Sequence, residues 1–350
     1  MPIRSTLVRA LVAAMLPVLV LSACDGGAAR AGNTCNGVPT QPVISFAAYS
    51  TPREAYGKII SAFKADWKDR HDGQEVIFQE SYDASTLQAS RVVAGYEADV
   101  VALSLAPDVD EIANAGLITH DWTKEPDGGM VSTSVVVFDV RPGNPLGLED
   151  WNDLARPGVG VLTPDPASSG GARWNLVSAW GSALRGYGGV REGDEAGATA
   201  LMQGVLGNVI AFDSSARKSI QNFEDGNGDV AISYENEVFT AKEAGKDDQA
   251  VYPPSSVLIE NPVAVVDANV DKHCVRPVVE AFVDYLHTPE AKEIFADAGY
   301  RSTDIAEARQ GGDGFPPITD LWDVDDLGGW PALTEKLFSD DGVVSQAMAG

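Results

Sequence analysis

The sequence has few of the residues that metal and nucleophilic sites need. Three cysteines and four histidines occur in 350 residues. No two cysteines have the C-x₂-C spacing of a metal site, the histidines are scattered, and no G-x-S-x-G motif is present. These absences favour a binding protein over an enzyme, and they lead us to expect neither a metal site nor a cofactor.

Positive charge is also scarce. Lysine and arginine number 25 against 51 aspartates and glutamates, so the formal net charge is −26. A chain this acidic is a poor partner for nucleic acid or for an anionic membrane surface. If it binds an anion, the anion must be held by local hydrogen-bond donors in a closed cleft, because the overall field is repulsive.

The sequence lacks an apolar run long enough to span a bilayer near its start. Ala10 to Leu21 is apolar but too short, and it follows Arg4 and Arg9, as in a secretory signal peptide. The next residues, Leu21-Ser22-Ala23-Cys24, match a bacterial lipobox. We expect a signal peptide at 1–23, a lipid on Cys24 and a tether at 24–42. An ordinary signal peptide cut near Ala23 is the alternative.

These features predict where the protein works and how it meets the membrane. A lipid anchor would hold it on the outer face of the cytoplasmic membrane, in the periplasm or at the cell surface, with no other membrane contact. Cys35 and Cys274 remain after Cys24. In an exported protein such a pair is more often a disulfide than a metal site, so we expect a bridge between them.

Strand-like and helix-like segments alternate from Val43 onward. The runs Val43–Tyr49 and Glu75–Gln79 read as strands, and the segments after them, starting near Thr51 and Ser85, read as helices with capping boxes. This alternation predicts a mostly parallel sheet flanked by helices. Ligands of such sheets bind at the carboxyl ends of the strands, which is where Ser50 and Ser85 lie.

The stretch Ser168 to Asn175 is the strongest candidate for a site. It contains Ser169, Gly170 and Gly171 between a strand-like run, Val159 to Leu162, and apolar residues with helical spacing. The first N–H groups of a helix have no partner inside it and carry partial positive charge. Glycines let a ligand approach them, so the pattern suits an anion cradle. An ordinary helix cap with flexible glycines is the alternative.

The length of the chain predicts more than one domain. Ser132–Val140 reads as a strand that crosses into a second domain. There, two further strand ends are followed by helix starts, at Ala216 and Tyr234. The expected organisation is lobe one at 43–131 plus 240–310, lobe two at 132–239 and a C-terminal helical segment at 311–350.

Five blocks of the sequence resemble the periplasmic sulfate-binding proteins, the substrate receptors of sulfate/thiosulfate ABC importers. The blocks are Glu97–Val101, Gly143–Pro145, Ser169–Asn175, Glu235–Glu237 and Gly328–Trp330. The resemblance implies an α/β fold of the two-lobed, type II-like periplasmic binding protein kind, in which the ligand lies in the cleft between lobes. It also implies a monomer that delivers sulfate or thiosulfate to an ABC permease and its ATPase.

The resemblance assigns the ligand donors residue by residue. It implies N–H or hydroxyl donors at Ser85, Ser169, Gly170, Gly171 and Ala216. The chain departs from the family pattern in three places: Ser50 replaces an aspartate whose N–H donates, Tyr234 replaces a tryptophan, and Asp83 lies in the altered turn before Ser85.

These departures leave other readings open. They weaken sulfate relative to thiosulfate or another tetrahedral oxyanion, such as molybdate or phosphate. An exported enzyme acting on an anionic substrate is the remaining alternative, with Asp83 its one candidate base. We expect Arg53, Arg173 and Arg217 to pair with carboxylates behind the donors, not to touch the ligand.

Overall fold

The structure is a computed structural model that describes Cys35, residues 37–312 and residues 314–349. The expected signal peptide and the lipidation residue Cys24 lie outside the described residues. The strands are β1 (Val43–Tyr49), β2 (Ile77–Asp83), β3 (Val100–Ala102), β4 (Met130–Val140), β5 (Val161–Pro164), β6 (Val209–Asp213), β7 (Val230–Tyr234), β8 (Gln249–Val251), β9 (Ser255–Val265) and β10 (Asp320–Trp322).

Helices separate most of these strands. The α-helices are α1 (Arg53–Arg70), α2 (Ser85–Val93), α3 (Ala106–Asn114), α4 (Trp151–Leu154), α5 (Gly170–Leu184), α6 (Glu195–Gly207), α7 (Ala216–Glu224), α8 (Glu235–Glu243), α9 (Asp267–His273), α10 (Arg276–Leu286), α11 (Pro289–Asp297), α12 (Ile305–Gln310), α13 (Gly329–Leu333) and α14 (Val343–Ala349). Short 3₁₀ turns occupy Trp122–Lys124, Pro126–Gly129 and Val324–Leu327, and one π-turn occupies Thr334–Phe338.

The strands form one continuous sheet in the order β2-β1-β3-β9-β4-β7-β5-β6. Two groups within it are parallel, β2-β1-β3 and β7-β5-β6. The long strands β4 and β9 run antiparallel to each other and join the groups. The predicted α/β class is confirmed. The parallel groups fall within the sequence ranges of lobe one and lobe two, and the exact boundaries of the lobes stay a prediction.

Helices cover both faces of the sheet in lobe one. Successive residues of a strand point to opposite faces, so Phe46 and Ala47 of β1 enter different cores. On one face Phe46 packs edge-on against Tyr56 of α1, with ring centroids 4.8 Å apart, and against Phe282 of α10. On the other face the small Ala47 lies in the core that includes Ala89 of α2.

The core of lobe two is built around tryptophans. Trp151, Trp174 and Trp180 are buried there with apolar residues of α5 and α6. The C-terminal segment packs on this same core, to which α13 and α14 contribute Leu333 and Val344. Helix α13 continues directly into the π-turn at Thr334–Phe338, and α14 is a separate helix that packs on the same core.

The helices predicted near Thr51 and Ser85 are present, but their predicted capping boxes are absent. Helix α1 begins at Arg53 with Pro52 before it, and helix α2 begins at Ser85 with Ala84 before it; neither has a side-chain cap. Two of the expected capping side chains have other partners: Ser85 donates to Asp108, and Glu54 pairs with Arg217. The second strand also runs further than expected, from Ile77 to Asp83.

A disulfide joins Cys35 to Cys274, whose Cα atoms are 5.4 Å apart. The two residues are separated by 239 positions, so the bridge ties the start of the described chain to the end of α9. Cys274 has a left-handed backbone, with φ 60°, directly after that helix. Within the described part of the chain, no helix has the length and apolarity needed to cross a bilayer.

Candidate functional site

A small cavity lies at the carboxyl ends of strands from both parallel groups. Its volume is about 10 Å³. Strands β1, β2 and β7 end in its wall, and the segments after β3, β5 and β6 complete it. The residues of the wall are Tyr49, Ser50, Thr51, Asp83, Ala84, Ser85, Ser104, Ser169, Gly171, Ala216 and Tyr234.

The structure brings the seven predicted ligand residues together. Those that line the cavity are Ser50, Ser85, Ser169, Gly171, Ala216 and Tyr234. The seventh, Gly170, lies beside the wall: a Cβ built on it would be 2.7 Å from the hydroxyl oxygen of Ser104. Donation from these residues to an anion stays a prediction. Ser104 is a single serine in an apolar run, so no sequence pattern pointed to it.

Three helices begin at this cavity. Ser85 is the first residue of α2, Gly170 of α5 and Ala216 of α7. The first N–H groups of each helix have no acceptor within it, and the helix dipole adds partial positive charge there. Since α2 belongs to lobe one while α5 and α7 belong to lobe two, both lobes present N–H donors to the same space. This arrangement suits a small anion.

The two glycines of α5 allow the close approach of its neighbours. A Cβ on Gly171 would lie 3.1 Å from the Cβ of Ala216 and 3.6 Å from the ring of Tyr234. A Cβ on Gly170 would collide with the side chain of Ser104. Glycine at both positions therefore lets the start of α5 meet the start of α7 and the segment after β3.

Ser169 keeps a hydroxyl proton available to a ligand. It caps α5, and its Oγ accepts the N–H of Ala172 at 3.4 Å. A serine oxygen that accepts in this way still has its own proton to donate. Because Ser169 is buried in the cavity wall, that proton can serve an anion there.

Ser85 differs, because its hydroxyl proton is already used. Its Oγ donates to Asp108 at 2.5 Å and accepts the N–H of Ser104 at 2.8 Å. Thr86 donates a second hydroxyl to Asp108 at 3.0 Å. Burial raises the pKa of Asp108 to about 6, and the hydroxyl of Ser85 opposes that rise. The backbone N–H is then the free donor of Ser85, a distinction that the sequence does not reveal.

Asp83 is the one charged residue in the cavity wall. Its Oδ1 accepts the N–H of Ala84 at 2.9 Å, and its Oδ2 pairs with Arg91 of α2 at 2.7 Å. The carboxylate is thus satisfied by its own lobe and neutralised by a neighbouring guanidinium. It does not stand free as a catalytic base over the cavity.

Two hydroxyls meet across the cavity. The Oγ of Ser104, in the segment after β3, lies 2.7 Å from the hydroxyl oxygen of Tyr234 at the end of β7. Burial raises the pKa of Tyr234 well above its usual range, so the phenol keeps its proton. The backbone carbonyl of Ser104 also accepts the indole N–H of Trp174 at 2.7 Å.

Arg217 links the lobes just outside the cavity. From α7 it reaches Glu54 of α1 at 2.8 Å and the backbone carbonyl of Thr51 at 2.9 Å. Its Nε also pairs with Glu237 of α8 at 2.9 Å. Burial raises the pKa of Glu237 to about 7, while the charge of Arg217 opposes that rise. The predicted pairing of Arg217 with carboxylates is confirmed.

The other two arginines have different contacts. The Nε of Arg173 donates to the carbonyl of Pro166 at 3.1 Å, and its guanidinium lies over the ring of Phe338. Arg53 lies over the ring of Tyr82. Among the described residues neither arginine has a direct ion pair, so their predicted pairing with carboxylates is wrong, although the charge of Arg173 still lowers the pKa of Asp108. Neither side chain lines the cavity.

Comparisons with known proteins agree with this geometry. The family model described as "Bacterial extracellular solute-binding protein" matches residues 44–301. The sulfate-binding protein of Synechococcus elongatus is 40% identical over 95% of this chain and 94% of its own length. The thiosulfate-binding protein of Pseudomonas aeruginosa is 35% identical over 92% of this chain and 94% of its own.

A solved structure matches as well. The sulfate-binding protein SubI from Mycobacterium tuberculosis H37Rv superposes with a TM-score of 0.77 at 35% sequence identity, covering 85% of this chain and 100% of that one. All three of these relatives are named as binding proteins.

Proposed function

The chain belongs to the family of bacterial extracellular solute-binding proteins, and from this premise we propose that it captures sulfate or thiosulfate and delivers it to an ABC permease and its ATPase. Three relatives described above are named for binding sulfate or thiosulfate. We assign the same ligand class to this chain and place the ligand in the cavity between its lobes.

The observation that carries the proposal is the neutrality of the cavity. Its wall contains no lysine, arginine or histidine, and its one carboxylate, Asp83, is paired with Arg91. The remaining polar groups are N–H groups at helix starts and hydroxyls. A fully ionised sulfate only accepts hydrogen bonds, so it can use every such donor. Each hydrogen bond to a charged acceptor contributes about 1.5–3 kcal/mol.

The size of the cavity restricts the ligand further. At about 10 Å³ it has room for about one water and is far smaller than the roughly 300–1,000 Å³ typical of sites for drug-sized molecules. It therefore has no room for a sugar or a peptide, and the ligand that its donors suit is a single small anion. We infer that the protein binds and releases its ligand unchanged, because no free acid or base faces the cavity.

Calorimetric titration tests the proposal. We expect one-to-one binding of sulfate, and of thiosulfate, to the purified mature chain at neutral pH. Molybdate and phosphate serve as competing oxyanions, and preferred binding of either would transfer the assignment to that anion. Absence of binding heat with all four anions would overturn the proposal.

We also propose that Cys24 carries the lipid that holds the receptor at the membrane. The support is the order Leu21-Ser22-Ala23-Cys24 after an apolar run. Stable attachment needs more than one acyl chain, as a lipoprotein has. Cys24→Ala should move the protein from the membrane to the soluble fraction and leave sulfate affinity unchanged. A variant that stays membrane-bound would contradict the anchor.

A further inference from the structure

Asp139 is an acidic residue in an apolar row of strand β4. Successive residues of a strand point to opposite faces, so Val135, Val137 and Asp139 lie on the same face. Val135 and Val137 are buried there with Val238 of α8. Asp139 is fully buried too, and neither of its carboxyl oxygens has a hydrogen-bond partner among the described residues. It does not line the ligand cavity, so the proposed function leaves this group unexplained.

Most of the charged groups around Asp139 are acidic. Strand β8 pairs with β4 so that Ala250 lies opposite Asp139, and Asp248 comes two residues before Ala250, on the same face. The Oδ2 atom of Asp248 is also buried without a partner in the described part of the chain. Glu237 of α8 and Glu224 of α7 add two more like charges that act on Asp139.

The nearby cations are engaged by other groups. Arg141, two residues further along β4, donates to backbone carbonyls of the segment 223–228. Lys246, close to β8, pairs with Glu224 at 3.5 Å. Strand β7, on the other side of β4, places an uncharged alanine opposite Asp139. An ionised Asp139 would therefore be a buried charge without a direct partner, which is the least favourable state of a carboxyl group.

We propose that Asp139 is a proton-operated latch, which holds β8 on β4 while it carries a proton and releases β8 when the proton is lost. With the proton, Asp139 is neutral and does not repel the carboxylates around it. Without the proton, Asp139 and Asp248 repel each other across the β4–β8 pair. Burial raises the pKa of Asp139 to about 8, the charge of Asp248 adds to the rise, and the charge of Arg141 opposes it.

Strand β8 is the element that this latch can release. It has three residues, Gln249–Val251, and within the described sheet it pairs with β4 alone. It leads directly into β9, one of the two long antiparallel strands that join the parallel groups. Release of β8 would therefore loosen the chain where it returns from lobe two to those joining strands.

The test compares the unfolding of the native chain with that of Asp139→Asn, which has nearly the same shape and cannot ionise. Because the folded pKa is raised, the stability from the proton is complete below about pH 4 and is lost as the pH rises through about 8. Between pH 5 and pH 7 the native unfolding constant should rise about tenfold per pH unit relative to that of the variant. The ratio should level off above pH 8.

Urea titrations from pH 5 to pH 9 measure this ratio. Other carboxyl groups with a raised pKa, such as Glu260, titrate in both chains and cancel. Asp247→Asn is the matched control, since Asp247 is the exposed neighbour of Asp248, and it should keep the native pH dependence. A ratio for Asp139→Asn that stays constant from pH 5 to pH 9 would overturn the latch.

Amide hydrogen exchange in β8 gives a second measurement, which needs only the native chain. After correction for the intrinsic effect of pH on exchange, β8 should exchange at least about tenfold faster at pH 8 than at pH 6. In Asp139→Asn the corrected rate should not change. Equal corrected rates in the native chain at the two pH values would contradict the latch even if the variant did not fold.

Discussion

The cavity is lined mostly by uncharged hydrogen-bond donors, whereas its rim contains ion pairs. In the cavity the donors are N–H groups and hydroxyls, and the single carboxylate, Asp83, is neutralised from behind by Arg91. At the rim, Arg217 joins Glu54 of lobe one to Glu237 of lobe two. Under the proposed function, uncharged groups would select the ligand, while charged groups link the lobes around it.

The difference follows from what each region must do. A buried cation would attract any anion and would cost several kcal/mol to desolvate when the cavity is empty. Helix starts provide N–H donors in fixed directions without that cost. The charged groups at the rim pair with each other, so they stay satisfied when the ligand is absent. Ion pairs give orientation more than affinity, which suits a contact between lobes.

The largest expected effect comes from adding a charge to the cavity. Gly171→Asp places a carboxylate against Ala216, whose Cβ would be 3.1 Å from the new Cβ. Both the crowding and the negative charge oppose an anion, so sulfate affinity should fall by at least about a thousandfold, or roughly 4 kcal/mol. Calorimetric titration measures this loss.

The control is the same change where nothing crowds it. Gly57 lies exposed on α1, and a Cβ there would meet no atom within 4 Å. Gly57→Asp should bind sulfate as the native chain does. If Gly171→Asp also bound sulfate normally, the anion would have to lie outside the cavity. The claim that the neutral cavity holds the ligand would then be wrong.

A smaller effect is expected from removing the charge at the rim. Arg217→Met leaves the buried Glu237 without its partner, and breaking such a pair costs about 3 kcal/mol of unfolding free energy. Burial already raises the pKa of Glu237 to about 7, and the loss of Arg217 raises it further. Because a protonated Glu237 needs no partner, the deficit against the native chain should be larger at pH 8 than at pH 5. Urea unfolding at the two pH values tests this, and equal deficits would contradict it.

Titration of Asp108 should change the free energy of unfolding by about 2 kcal/mol between pH 4 and pH 7. Burial raises its folded pKa from 3.8 to about 6, so the folded state binds a proton more tightly than the unfolded one. The associated stability is present below pH 4 and is lost as the pH rises through 6. Asp108→Asn cannot ionise, so its stability relative to the native chain should rise between pH 4 and pH 7. A constant difference across that range would mean that Asp108 does not titrate there.

The smallest effect is expected from breaking only the contact between the lobes. Glu54 is half exposed, and its pair with Arg217 should contribute less than about 1 kcal/mol to stability. Glu54→Gln should weaken sulfate binding about two- to fivefold, because the pair holds the lobes around the ligand. At 1 M KCl the native chain and the variant should bind alike, since salt screens the pair. A difference that persists in salt would assign Glu54 another role.

The sequence located the cavity well because strand ends leave a clear pattern. Ser50, Ser169 and Ala216 come together because each follows a strand of a parallel group, and the carboxyl ends of those strands meet. That pattern places residues at an edge, but it does not determine which hydroxyl bonds to which group. The resemblance implied that Ser85 donates both its hydroxyl and its N–H to the ligand, whereas the structure gives the hydroxyl to Asp108.

Other features of the structure could not be predicted from a pattern in the sequence. Ser104 is one serine between Leu103 and Leu105, and Asp108 looks like an ordinary acidic residue in the first turn of a helix. Strand β9 spans Ser255–Val265 and contains Pro262, which cannot donate to a strand ladder. The structure accommodates that proline opposite an irregularity in the pairing with β4. Each miss depends on contacts between segments distant in the chain.

A crystal structure of the protein with selenate, an anomalously scattering isostere of sulfate, tests the central claim most directly. We expect the anion in the cavity, with its oxygens about 2.7–3.2 Å from the backbone nitrogens of Ser85, Gly171 and Ala216. No lysine or arginine side chain should lie within hydrogen-bond distance of it. Selenate held by Arg217 at the rim, or by any other cationic side chain, would contradict the account.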